Sequence, residues 1–197
     1  MIFNYRELLV ILGVTINIIG TLPYLFGVIG GHVKPNKVSW LLWGMGPMIA
    51  GSAALVSGVG WSALPVFFSG IIPVSIFFVS LFVKRAYWKL ESFDYWCGFF
   101  SLVALVSWGI TKDPVLAIIF ALIGDIFASV PTIKKAWVYP ETESSLTYIA
   151  GAFSALTSLA TITAWNFSSY AFPIYLFLVG CIIFIGLERK NFVVKKK

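Results

Sequence analysis

The sequence predicts an all-α integral membrane protein with seven transmembrane helices, the N-terminus outside and the C-terminus in the cytoplasm. Three observations predict it. First, 59% of the 197 residues are hydrophobic and only 11% charged, and the mean hydropathy is +0.94. A soluble domain carries roughly 25% charged residues, so charges this sparse cannot solvate a particle of this size. Second, the chain divides into apolar stretches of about 20 residues, the length a helix needs to cross the hydrocarbon core. Third, lysines and arginines gather on alternate loops.

In order, the spans are expected at 8–29, 38–58, 62–83, 93–111, 114–136, 146–166 and 170–188. The first is too long for a signal-peptide core, and its flank, Arg6-Glu7, carries no net positive charge, so it is expected to stay as a span. The breaks carry turn chemistry: Gly30-Gly31 with Lys34-Pro35-Asn36, then Gly58-Val59-Gly60, Lys112-Asp113-Pro114 and Tyr139-Pro140-Glu141. Asp113-Pro114 reads as a cap followed by a first-turn proline. Asn36 and Ser144 are expected to cap the second and sixth spans. Pro65 and Pro173 read as first-turn prolines of the third and seventh.

Orientation follows from the basic residues. Lys34, Lys37, Lys84, Arg85, Lys89, Lys134, Lys135, Arg189, Lys190, Lys195, Lys196 and Lys197 fall on one side, against Arg6 and Lys112 on the other. The side with twelve is expected in the cytoplasm. The net charge of +6 is thereby explained as a topology signal lying on an anionic leaflet, not as a nucleic-acid footprint. Trp40, Trp61, Trp96, Trp108, Trp137 and Trp165 fall near predicted span ends, as an interfacial aromatic belt would place them. Cys97 and Cys181 sit in apolar stretches and read as small hydrophobes.

Sliding the chain by 108 residues aligns Pro23 with Pro131, Pro65 with Pro173, Ser39-Trp40 with Thr147-Tyr148, and Asn17 with Asp125. The register implies two three-helix units, 7–83 and 114–190, joined by a linker helix at 92–112 and followed by a basic cytoplasmic tail, 191–197. Because one helix separates them, both units enter the membrane in the same sense, as in parallel-repeat transporters.

This 3+1+3 pattern resembles the SWEET and PQ-loop superfamily. The residues carrying the resemblance are Gly20-Thr21-Leu22-Pro23-Tyr24 and Asn36-Lys37-Val38-Ser39-Trp40, then Ala128-Ser129-Val130-Pro131-Thr132 and Glu143-Ser144-Ser145-Leu146-Thr147-Tyr148. The Pro-Gln dipeptides are absent, Tyr24 and Thr132 following the two prolines. The resemblance implies a secondary transporter or facilitator of a small polar solute, with Pro23, Pro47 and Pro131 as hinges.

Asp125 is the one acidic residue deep within a predicted span. An ionisable group there costs at least ~2.5–3.5 kcal/mol at the bilayer centre, so it must face protein or water. Asp125, Ala128, Ser129 and Thr132 share a helix face, and Asn17, Gly20, Thr21 and Tyr24 form the matching stripe in the other half. Two readings follow: a central pathway in which Asp125 couples a proton or cation or binds a solute, or an interhelical hydrogen bond between Asp125 and Asn17. Trp43, Trp165 and Asn166 are further pathway candidates, and Lys34, Asn36, Glu141 and Glu143 are candidates for inner-gate pairs.

No histidine pair, phosphate loop, metal motif or activated nucleophile is found, so neither an enzyme nor a cofactor is expected. The expected partners are the plasma-membrane bilayer and a small polar solute, the chain acting as a monomer or homo-oligomer. The alternative is a membrane receptor or assembly factor on the same fold, since fold alone does not settle function; a lipid-handling protein is a third.

Overall fold

The structure, a computed structural model, describes residues 4–194 except 87 and 112. Lys112, Lys195, Lys196 and Lys197, and the side chains of Trp108 and Lys190, lie outside the described residues.

The described chain is helical, with α1 (Tyr5–Gly30), α2 (Lys37–Val56), α3 (Leu64–Ser69), α4 (Ile71–Phe82), α5 (Ser92–Thr111), α6 (Pro114–Val138), α7 (Ser145–Ala160) and α8 (Phe167–Val194). Five segments are long and apolar enough to cross a membrane: α1, α2, Gly60–Phe82, α6 and the Phe167–Arg189 part of α8. The sixteen residues of α7 form a shorter apolar helix.

Caps set several of the starts. The Asn4 side chain accepts hydrogen bonds from the backbone N–H groups of Arg6 and Glu7, and the Asn4 N–H donates to the Glu7 carboxylate, a closed capping box. Asn36 accepts from Val38 and Ser39, and Asp113 accepts from Val115 and Leu116 with Pro114 in the first turn. Ser144 stands at the cap position of α7 without a side-chain hydrogen bond.

Three boundaries differ from the sequence expectation. The third span is broken at Gly70, because Pro73 has no N–H for the Ser69 carbonyl and its ring would collide with it. The sixth ends at Ala160 rather than 166; the Thr161 hydroxyl bonds back to the carbonyls of Thr157 and Ser158 and closes the last turn. Pro173 lies inside α8, which begins at Phe167, where Asn166 and Ser169 cap each other reciprocally. Pro65 is in the first turn of α3, as expected. The tail residues Asn191–Val194 continue α8 instead of forming a separate segment.

The helices pack reciprocally: α1 lies against α7, α2 against α6, α5 covers α6, and α8 joins α6 and α7. Small residues permit the close approaches. A Cβ on Gly20 would stand 2.3 Å from that of Ala150, and one on Gly13 would overlap the Thr157 hydroxyl. The distribution of polarity is inverted relative to a soluble protein. Ile19, Phe26, Val56, Phe82 and Ile110 are exposed, whereas Asn36, Ser39, Ser101, Asp125, Thr132 and Ser158 are buried. Such an outer surface is compatible with a membrane location.

Two apolar clusters stack along the interior. One contains Tyr24, Val28, Trp40, Trp43, Tyr148, Ile183 and Leu187; the other contains Ala50, Ala53, Ala54, Ala63, Val66, Ala117, Ile118, Ala121 and Phe172. Trp40 therefore belongs to the core and not to an interfacial belt, being 2% exposed, while Trp61, Trp96, Trp137 and Trp165 are exposed.

Candidate functional site

A cavity of about 100 Å³ lies against the first cluster, with Trp40, Trp43, Tyr148 and Ile183 in its lining. The inward stripes of α1 and α6 deliver its polar groups. Asn17, Thr21 and Tyr24 are buried along one, and Asp125, Ser129 and Thr132 along the other. Asn17, Thr21 and Asp125 line the cavity, joined by Trp40, Trp43 and Pro47 from α2 and by Thr147, Tyr148 and Gly151 from α7. The break at Gly70 brings Ser69, Ile72 and Pro73 to one wall, and Leu176, Val179, Gly180 and Ile183 of α8 form the opposite apolar surface.

Asp125 is 2% exposed, and neither carboxylate oxygen has a hydrogen-bond partner among the described residues. The hydrogen bond to Asn17 is therefore not formed. Gly46 makes room for the carboxylate: a Cβ there would sit 2.7 Å from Asp125 Oδ1. The Tyr175 hydroxyl approaches Asp125, Ser129 and Trp43 and is likewise unpartnered. Unpaired buried polar groups are costly, so their concentration here marks the cavity as a place built for interaction. By contrast, Thr21 donates to the Asn17 carbonyl at 2.8 Å and Ser129 to that of Ile126 at 2.8 Å, so both hydroxyls are satisfied within their own helices.

One end of the cavity is closed by aromatic rings. Tyr24 and Trp40 approach to 4.5 Å between centroids, Trp40 and Trp43 to 5.6 Å, and Trp43 and Tyr148 to 6.2 Å. Tyr148 connects this layer to a buried ion pair. Its hydroxyl donates to Glu143 Oε2 at 2.7 Å, and Lys135 Nζ donates to Glu143 Oε1 at 2.6 Å. Lys135 also donates to the Lys34 carbonyl, and the Trp88 ring covers its ammonium at 4.5 Å. The Lys34 N–H donates to Thr142, tying the α1–α2 loop to the α6–α7 loop.

The expected site residues therefore divide. Asn17, Thr21, Trp43, Pro47 and Asp125 meet in the cavity. Tyr24, Ser129 and Thr132 are buried beside it, and Pro131 is buried within α6 whereas Pro23 is exposed on the outside of α1. Trp165 is 66% exposed, and Asn166 lines a separate depression with Ser57, Gly58 and Thr163. Of the inner-gate candidates, Glu143 and Lys34 join the Lys135 cluster, Asn36 caps α2, and Glu141 is exposed. Lys135, Trp40 and Tyr148 were noted from the sequence only as topology, belt or repeat residues and not as site residues, and Trp88 and Tyr175 were not noted. Two signals existed: Lys135 continues the Asp125 face ten residues on, and Trp40 and Tyr148 occupy matching places in the 108-residue register.

Comparison with family models, with curated proteins and with solved structures finds no match to this chain.

Proposed function

We propose that this protein is a plasma-membrane carrier or facilitator of a small polar solute, organised like the SWEET and PQ-loop superfamily. The supporting observation is the meeting of Asn17 and Asp125, 108 residues apart, in one interior cavity whose floor is Trp40 and Tyr148, also 108 residues apart. A two-fold relation between units 7–83 and 114–190 accounts for this, and for the reciprocal packing of α1 on α7 and α2 on α6. In this reading the seven spans are α1, α2, Gly60–Phe82, α5, α6, α7 and α8, with the N-terminus outside and the C-terminus in the cytoplasm.

The mechanism is alternate access. The solute binds between Asp125, Asn17 and the aromatic floor. The Lys135–Glu143 cluster, among the lysine-rich loops, serves as the cytoplasmic closure. Pro131 interrupts α6 between Asp125 and Lys135 and supplies a hinge at the point where cavity and closure must move separately.

Reconstituted protein should take up at least one member of a panel of labelled sugars, amino acids, amines and organic acids with saturable kinetics, and Asp125→Asn should reduce that uptake at least tenfold. Absence of uptake for every class by monodisperse, folded protein refutes the carrier reading.

A further inference from the structure

A lone carboxylate, three aromatic rings and several aliphatic side chains line the cavity, and together they specify a charge and a shape. We infer that the cavity binds a compact organic ammonium ion, with Asp125 as counter-charge and Trp40, Trp43 and Tyr148 as the π surface. This inference rests on the carrier reading and names the chemical class of its solute.

The charge comes first. Asp125 is the one formally charged residue lining the cavity, and both its oxygens lack a partner among the described residues. A carboxyl group removed from water stays ionised only when a cation or several donors compensate it, and otherwise holds a proton that an entering cation displaces. Along the same helix Lys134, nine residues on, is exposed and pairs with Glu91 at 3.2 Å, and the buried cation is Lys135, ten residues away and so roughly 15 Å along the axis. It is already held by Glu143 at 2.6 Å and cannot serve Asp125. The other polar groups on the wall, Asn17, Thr21, Ser69, Thr147 and Tyr148, and the neighbouring Tyr175 hydroxyl, are neutral.

The shape follows from the rings. Trp40 and Trp43 meet at 77°, and Trp43 and Tyr148 at 73°. Rings so inclined form the corner of a box and do not stack on one another. Quaternary and alkylated ammonium ions are recognised by such corners, because the faces of the rings carry negative charge density. Elsewhere in the lining, Ile72, Leu176, Val179 and Ile183 offer contacts for alkyl groups on nitrogen. A sugar would face these aliphatic side chains with hydroxyls left unpaired. A metal ion would lack ligands, since no group of three His, Cys, Asp or Glu side chains among the described residues could hold one. The volume, about 100 Å³ against the 150 Å³ that accommodates benzene, has room for a group of about four or five non-hydrogen atoms.

The test uses the full chain in detergent and in proteoliposomes. Tetramethylammonium is titrated by calorimetry against tert-butanol, a neutral molecule of matching size. Saturable binding of tetramethylammonium alone, weakened at least tenfold by Asp125→Asn and by Trp43→Leu but less than threefold by Trp43→Phe, supports the inference. Equal binding of both molecules, or tetramethylammonium binding unchanged by Trp43→Leu and by a folded Asp125→Asn protein, overturns it. Flux separates this inference from the carrier reading. Saturable uptake of a neutral solute that tetramethylammonium does not inhibit leaves the carrier standing and overturns the ammonium site. Binding of tetramethylammonium without uptake of any solute supports the site and overturns the carrier.

Discussion

Lys135 Nζ lies 2.6 Å from Glu143 Oε1, and neither side chain is more than 1% exposed. Neither group can recruit water if the other is removed. Glu143→Gln is expected to destabilise the protein by about 3–5 kcal/mol, the usual consequence of stranding a buried charge. Replacing both residues together, with Met and Leu, should recover most of that loss. Denaturant titration in detergent measures both. The exposed pair Lys134–Glu91, at 3.2 Å, is the control, and Glu91→Gln should leave stability unchanged within error.

Gly46 is the second prediction. A Cβ there would stand 2.7 Å from Asp125 Oδ1 and 3.4 Å from its carboxyl carbon. Gly46→Ala should therefore push the Asp125 carboxylate out of place while leaving the helix intact, since alanine is the better helix former. Solute affinity should fall at least tenfold, and the melting temperature should change by no more than a few degrees. A variant with normal affinity would place the functional carboxylate elsewhere.

The α1–α7 contact yields a paired test. Gly20 has no space for a methyl group, with Ala150 Cβ at 2.3 Å, whereas the nearest atom to a Cβ on Gly151 is Asn17 Oδ1 at 4.0 Å. Gly20→Ala should cost about 1–3 kcal/mol through overpacking. Gly151→Ala should be tolerated. Comparing the two melting curves reads the helix spacing directly.

Pro131 and Pro23 match in sequence register but differ in surroundings, since one is buried and the other exposed. Pro131→Ala restores an N–H that can reach the Phe127 carbonyl and stiffens α6 between the cavity and the ion pair. Its melting temperature should rise and its maximal uptake rate should fall several-fold, with little change in solute affinity. Pro23→Ala should slow uptake less. Equal slowing by both would show that the two hinges work as a symmetric pair.

Much of the scaffold was legible because its determinants are local. Asn36 and Asp113 announce helix starts through residues two and three positions away. The stripe from Asp125 to Thr132 could be assigned to the interior because helical periodicity and the cost of a buried charge agree. The ion-pair cluster was not legible in the same way. Lys34, Trp88, Lys135 and Glu143 come from four separated segments, and Lys135 carried an equally good explanation as a topology signal. Trp40 was misplaced for a related reason: its position near a helix start suits an interface, and only the packing of Tyr24 against it puts it in the core.

The ion-pair cluster and the alanine-rich cluster are made of different kinds of matter. The first consists of Lys135, Glu143, Tyr148 and Trp88, side chains that turn about two or more bonds each. The second is largely Ala50, Ala53, Ala54, Ala63, Ala117 and Ala121, which have no rotamers to change. The first can yield by torsional rearrangement of a few side chains. The second can yield only if whole backbones slide apart, a collective motion on the microsecond-to-millisecond scale. Parting the alanine faces also wets apolar surface and so carries a positive heat-capacity change. The slower of the two steps should therefore be recognisable by a curved temperature dependence that the other lacks.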